Sequence, residues 1–169
     1  MTDLAEGNLV FNFPCIPDEV TKYDEWSFYR NQFSNLANGT KAVDFIFLEQ
    51  DICWLIEVKD YRVNCRTKLI DLADEISIKV KDTIAGLFTA KINANDLSEK
   101  QFAQIANQKS KIRVVLHLEQ PEKPSKLFPR IFDEANIETK LKSKIKAIDP
   151  HPIVMNKSSN KTFVRWRVH

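Results

Sequence analysis

One stretch limits the possible folds more than any other: residues 42–62, AVDFIFLEQDICWLIEVKDYR. Two β-rich runs, residues 43–48 and 52–59, flank the polar Glu49-Gln50-Asp51, which is the pattern of a hairpin. Both arms are close to continuously apolar, so they are expected in the middle of a sheet with helices on both faces. Three ionised side chains interrupt them: Asp44, Glu57 and Lys59. A turn centred between Gln50 and Asp51 sets Asp44 opposite Glu57. Directly opposed residues have Cβ atoms roughly 4.5–5.5 Å apart, and two anions that close repel each other. The strand period of two turns Lys59 to the same face as Glu57 and Val58 to the other. An unpaired charge in such strands costs several kcal/mol, so the three groups are expected to answer one another.

Around the hairpin the chain reads as alternating elements. Residues 8–13 (NLVFNF), stopped by Pro14 and Pro17, form an edge strand or an arm packed on the body. Thr21 and Asp24 have capping-box spacing, and Trp26, Tyr29, Phe33 and Leu36 then recur every three or four residues, which predicts an amphipathic helix ended by Asn38-Gly39. Asp71 caps a long helix to about residue 91, striped by Leu72, Ile76, Val80, Ile84 and Phe88. Ser98 caps a shorter one with Phe102, Ile105 and Ala106 inward, and Ile112, Val114, Leu116 and Leu118 alternate as a strand. Pro121, Pro124 and Pro129 mark a loop, residues 133–147 a basic helix, and two short strands follow, around Ile153 and over residues 162–168. The fold class expected is α+β, a central mixed sheet flanked by helices.

With 169 residues the chain has room for one domain with a real core. No apolar run approaches the ~20 residues of a membrane span. Cys15, Cys53 and Cys65 form neither a disulfide framework nor a zinc site, which fits a reducing cytoplasm, and His117, His151 and His169 are scattered. Charge is uneven: residues 1–108 carry a net −6 and residues 109–169 a net +8. An acidic body with a basic last third suits metal-binding carboxylates beside phosphate-binding cations, or a solvated lysine-rich helix face.

Two carboxylates converging from neighbouring strands form an oxygen pair suited to Mg²⁺, which otherwise keeps its waters. Asp44 followed after twelve residues by Glu57-Val58-Lys59 resembles the PD-(D/E)xK nuclease superfamily, with Val43 where the motif's name has proline. The resemblance covers residues 20–120, leaving 121–169 as a basic extension of a single domain. It implies a restriction endonuclease-like core and Mg²⁺-dependent hydrolysis of DNA phosphodiesters, with Mn²⁺ as a substitute metal. Asp44 and Glu57 are then metal ligands assisted by the Val58 carbonyl, and Lys59 positions the attacking water. Many members add an acid from the preceding helix, for which Glu25 is the first candidate and Glu19 the second. That family's usual αβββαβ order requires a third strand, from residues 8–13 or 61–65. The implied partner is DNA, with a homodimer where both strands are cut. The rival expectation is a nuclease-like fold used as a silent binding subunit in DNA defence or repair. A small-molecule enzyme ranks last, because no Gly-rich phosphate loop, nucleophile elbow or zinc signature is present.

Other candidates are open to two interpretations. Arg62 contacts phosphate or is solvated. Arg165 and Arg167 share one face of the last strand, with Val164, Trp166 and Val168 on the other, and either bind backbone phosphates or guard an edge strand. Lys79, beside the apolar stripe of the long helix, either reaches the site or stays on the helix surface, the second being expected, and His117 is expected as a structural histidine.

Overall fold

The computed structural model describes residues 1–127, 131–159 and 164–169. Pro129 and the beginning of the strand expected from Thr162 lie outside them. The chain opens with a hairpin, β1 (Thr2–Glu6) and β2 (Leu9–Phe13), turning at Gly7, whose φ of +57° is one that glycine adopts without strain. Then come β3 (Val20–Lys22), a run of short helical turns, and the central hairpin of β4 (Phe45–Glu49) and β5 (Ile52–Asp60). Helices α1 (Leu72–Asn93) and α2 (Leu97–Gln108) lead to β6 (Lys111–Glu119), and α3 (Glu134–Ile145) precedes β7 (Ile153–Met155) and β8 (Arg167–Val168).

Two sheets result. The larger runs β3-β4-β5-β6-β7, antiparallel as far as β5 and parallel beyond it, and the smaller runs β1-β2-β8. The mixed α+β class expected from the sequence is therefore present. The hairpin register is also as expected, since Phe45 pairs with Ile56 and Leu48 with Cys53. Alternation along the strands divides the core in two. Ile46, Leu48, Cys53, Leu55, Val114, Leu116 and Leu118 face the helices. Phe45, Phe47, Trp54, Ile56, Val58 and Val115 face the small sheet, where Phe11, Phe13 and Trp166 meet them.

Four expectations need correcting. The second face of the central sheet is covered by the small sheet instead of by helices. Residues 8–13 are the middle strand of that sheet, and the strand missing from the first half of the large sheet is β3. The helix expected from the Thr21 capping box to Asn38-Gly39 is broken into short 3₁₀ and π turns. Its apolar positions are not one stripe: Tyr23, Trp26, Phe28 and Phe33 are buried while Leu36 is exposed, and the Trp26 indole donates to Thr21 Oγ1 at 2.7 Å. Finally, α2 is capped by Asp96, which accepts from the Ser98 and Glu99 N–H groups, and not by Ser98.

In α1 the Asp71 cap is where it was expected, accepting from Ala73 N–H. The four-residue stripe holds only through Val80; Ile84 is half-buried, Phe88 is exposed, and the buried line passes to Thr83, Leu87 and Ala90. A step of four overshoots the 3.6-residue turn by about 40°, so an every-fourth stripe rotates off the core after a few turns. Among the described residues no helix is long and apolar enough to cross a membrane.

Candidate functional site

The polar centre lies at the C-terminal end of β5, on the helix-facing side of the sheet and under the first half of α1. Asp44 just before β4, and Glu57 and Lys59 on β5, have the parity of the helix-facing apolar residues, so the fold brings all three to one place. Lys79, two turns into α1, completes it, contrary to the surface position expected for it. Its Nζ donates to Glu57 Oε1 at 2.5 Å and lies 3.8 Å from Asp44 Oδ1. Lys59 Nζ donates to the same Glu57 oxygen. Asp44 Oδ2 accepts the Val58 N–H at 2.6 Å, so Val58 enters the site through its amide hydrogen.

Burial sets the electrostatics. Glu57 is 0% exposed, and burial, reinforced by the Asp44 charge, pushes its carboxyl up to about 7 even against Lys59 and Lys79. Asp44 is also raised, by burial first, while Lys79, the Val58 amide and Lys59 pull the other way. For Lys59, burial opposes the charge but the Glu57 carboxylate outweighs it, and the ammonium is held more firmly than in water. Glu57 Oε2 is buried without a partner.

A second acid adjoins the first group. Glu75, in the first turn of α1, is buried, yet accepts from Arg66 at 2.6 Å and Lys68 at 2.5 Å and lies 3.7 Å from Lys59 Nζ. Burial raises its carboxyl, but the two hydrogen bonds prevail and hold it at about 2. Arg66 also donates to Tyr61 Oη and the Ile70 carbonyl, which ties the segment between β5 and α1 over the site. Neither Glu75 nor Arg66 stood out in the sequence. The signal available was an acid one helical turn before Lys79 on the same face of α1.

The other candidates are dispersed. Glu25 is half-exposed and pairs with Lys22 at 3.2 Å, away from the cluster, and Glu19 accepts the Ile16 N–H. The acid of this segment that feels Asp44 is Asp24, raised by burial and then by Asp44, with Oδ1 buried and unpartnered. Arg62 is held by Asp60 at 2.6 Å. Arg165 pairs with Glu49 at 3.1 Å while Arg167 is exposed on β8, and Trp166 between them is buried in the second core. His117 is fully buried, with Nε2 2.9 Å from Glu119 Oε1 and its ring edge-on to Phe11, a structural position. A cleft of about 470 Å³ lined by Val20, Trp26, Glu99 and Phe102 touches none of the cluster, and its carboxylate is used by the Ser27 and Phe28 N–H groups.

Among the described residues no three His, Cys, Asp or Glu side chains gather to hold a metal. The pair Asp44 and Glu57 supplies hard oxygens, one of them unpartnered, and two protein oxygens are a number Mg²⁺ accepts when waters complete its shell. Chemically the arrangement is a buried carboxylate pair with two ammonium groups on one Glu57 oxygen and the other Glu57 oxygen open.

No family model matches the chain, and no solved structure matches it. The chain is similar to a protein named cysteine--tRNA ligase from Neisseria meningitidis, 37% identical over 176 aligned positions that take in 86% of this chain and 25% of the ligase. It thus spans about a quarter of the length of the curated relative it matches. This finding overturns the resemblance to PD-(D/E)xK nucleases and what it implied: the restriction endonuclease-like assignment, Mg²⁺-dependent deoxyribonuclease activity, and the silent subunit for DNA defence or repair. A similar protein named as a tRNA ligase gives them no support. The physical reason the motif misled is its brevity. An acid opposite Glu-x-Lys in a hairpin is also what a self-neutralising ion cluster requires, and Glu57 has two lysines on one oxygen.

Proposed function

We propose that this chain is a tRNA-directed module serving aminoacylation, a part that binds tRNA for a ligase. The observation that carries it is the 37% identity to a protein named cysteine--tRNA ligase over most of this chain. Since the match takes in a quarter of that ligase, the role proposed is recognition of the RNA and not the whole ligation. The charge distribution supports it, because cations concentrate in the last third, which holds the basic helix α3 and the exposed Arg167, while Arg165 and Arg62 would exchange their partners Glu49 and Asp60 for RNA phosphates. Asp44 and the unpartnered oxygen of Glu57 would hold a divalent cation, Mg²⁺ by donor type, in exchange for Lys79, the ammonium that the two acids share. Lys59 and Lys79 then orient an RNA phosphate. The free thiols of Cys15, Cys53 and Cys65 suit a cytoplasmic setting.

Titrating the chain with tRNA, with a duplex DNA of equal charge, and with each in the presence and absence of Mg²⁺ tests this reading. Tighter binding of tRNA than of DNA is expected, with a Mg²⁺-dependent share lost in Glu57→Gln. Equal affinity for both polyanions, or no binding of tRNA, refutes it.

A further inference from the structure

The Glu57 and Glu75 carboxylates do more than neutralise each other's neighbours: together they string three ammonium groups in a row. Lys79 and Lys59 share Glu57 Oε1, and Lys59 and Lys68 share Glu75 Oε1. Each adjacent pair of ammonium groups is thus bridged by a single oxygen. Arg66 stands behind the row on the other oxygen of Glu75. The ensemble holds four cations, Lys59, Lys68, Lys79 and Arg66, against three carboxylates, Asp44, Glu57 and Glu75. It is one positive charge in excess.

The groups differ in how deeply they sit. Arg66 has 8% of its side chain exposed, Lys59 and Lys79 16% each, and Lys68 56%. The row therefore opens to solvent at the Lys68 end and is anchored at Arg66. An anion approaching from solvent meets Lys68 first. If Lys68 turns outward to it, Glu75 keeps Arg66 and moves closer to Lys59, so no buried acid is left without a counter-charge. The exchange avoids the heavy cost of stranding a carboxylate in the interior.

We propose that Lys68, Lys59 and Lys79 form a phosphate-binding site, with Lys68 as the group that leaves Glu75 for the ligand and Arg66 as the fixed tie that keeps the segment in place. The ligand class is a phosphate-bearing anion with adjacent charges, either a diphosphate group or neighbouring phosphates of an RNA backbone. The RNA source rests on the function proposed above; the site itself does not.

Amine acylation of the intact chain, read residue by residue by mass spectrometry with pyrophosphate as the probe, tests the site. Pyrophosphate is expected to slow acylation of Lys68, Lys59 and Lys79 at least threefold while leaving Lys81, an exposed lysine of α1 outside the row, unchanged. Arg66→Met is expected to raise tryptic cleavage after Lys68 and to reduce that protection. Equal slowing at Lys81, or none at the three lysines, overturns the proposal. A second arm uses tRNA and Lys68→Met: the variant should lower the slope of log affinity against log salt by about one contact. An unchanged slope with intact tRNA binding removes RNA as the source, whereas loss of tRNA binding by the parent protein counts against the function proposed and leaves the pyrophosphate result to decide the site.

Discussion

Acid should weaken this protein more through Glu75 than through an average surface carboxylate. Glu75 is 1% exposed and faces Arg66 and Lys68 from the segment before α1 and Lys59 from β5. Those partners hold its carboxyl at about 2 in the folded chain, against an ordinary value of 4.5. A folded value below the unfolded one means that stability is fully present above about pH 5 and is lost as pH falls toward 2. The depression corresponds to about 3 kcal/mol at neutral pH, at 1.36 kcal/mol per unit, and roughly half of it should remain at pH 3. Glu57 works with the opposite sign, since its raised carboxyl costs stability as pH climbs from 4.5 through about 7. The clean comparison is therefore parent against Glu75→Gln by urea unfolding at pH 7, 5, 4 and 3. The variant should be about 3 kcal/mol weaker at pH 7, with a gap that narrows steadily below pH 5. Two curves that stay parallel across that range would show that Glu75 draws no such stabilisation from its cations.

Packing yields sharper tests elsewhere. A Cβ on Gly86 would sit 1.9 Å from Tyr23 Oη, a buried hydroxyl with no partner, so Gly86→Ala should cost about 2–3 kcal/mol by thermal unfolding despite its better helix propensity. In a Tyr23→Phe background the same change should fall within about 1 kcal/mol of neutral; a stabilising Gly86→Ala in the parent refutes the contact. Asp149 is fully buried and accepts the Val114 and His151 N–H groups at 2.8 Å each. Its replacement by Ala should cost about 3 kcal/mol in urea unfolding, with Asn retaining part of the loss.

What could be read from the sequence followed the range of the interactions. The β4–β5 register is set by a two-residue turn and apolar runs that are contiguous in the chain, so Asp44, Glu57 and Lys59 converge as local pattern predicts. Capping by Asp71 is equally local. The failures have non-local causes. The strand β3 is three residues long and owes its conformation to pairing with β4, a partner more than twenty residues away, so its own pattern carries no strand signal. The small sheet joins the first thirteen residues to the last three, and only that closure explains why Trp166 is buried.

The same contrast explains the site. Spacing showed which side chains share a sheet face, but not which cations from other elements would reach them. Lys79 looked like a surface lysine because α1 was aligned by a four-residue stripe that drifts off the core; the true buried line puts Thr83 against the Val43 N–H and swings Lys79 over Glu57. Arg66 and Lys68 come from a segment without periodicity, and nothing local aims them at Glu75. A carboxylate pair seen without these partners reads as vacant metal ligands. With them it is a charge-compensated cluster whose surplus is positive, and the groups it offers to an incoming anion are ammonium groups.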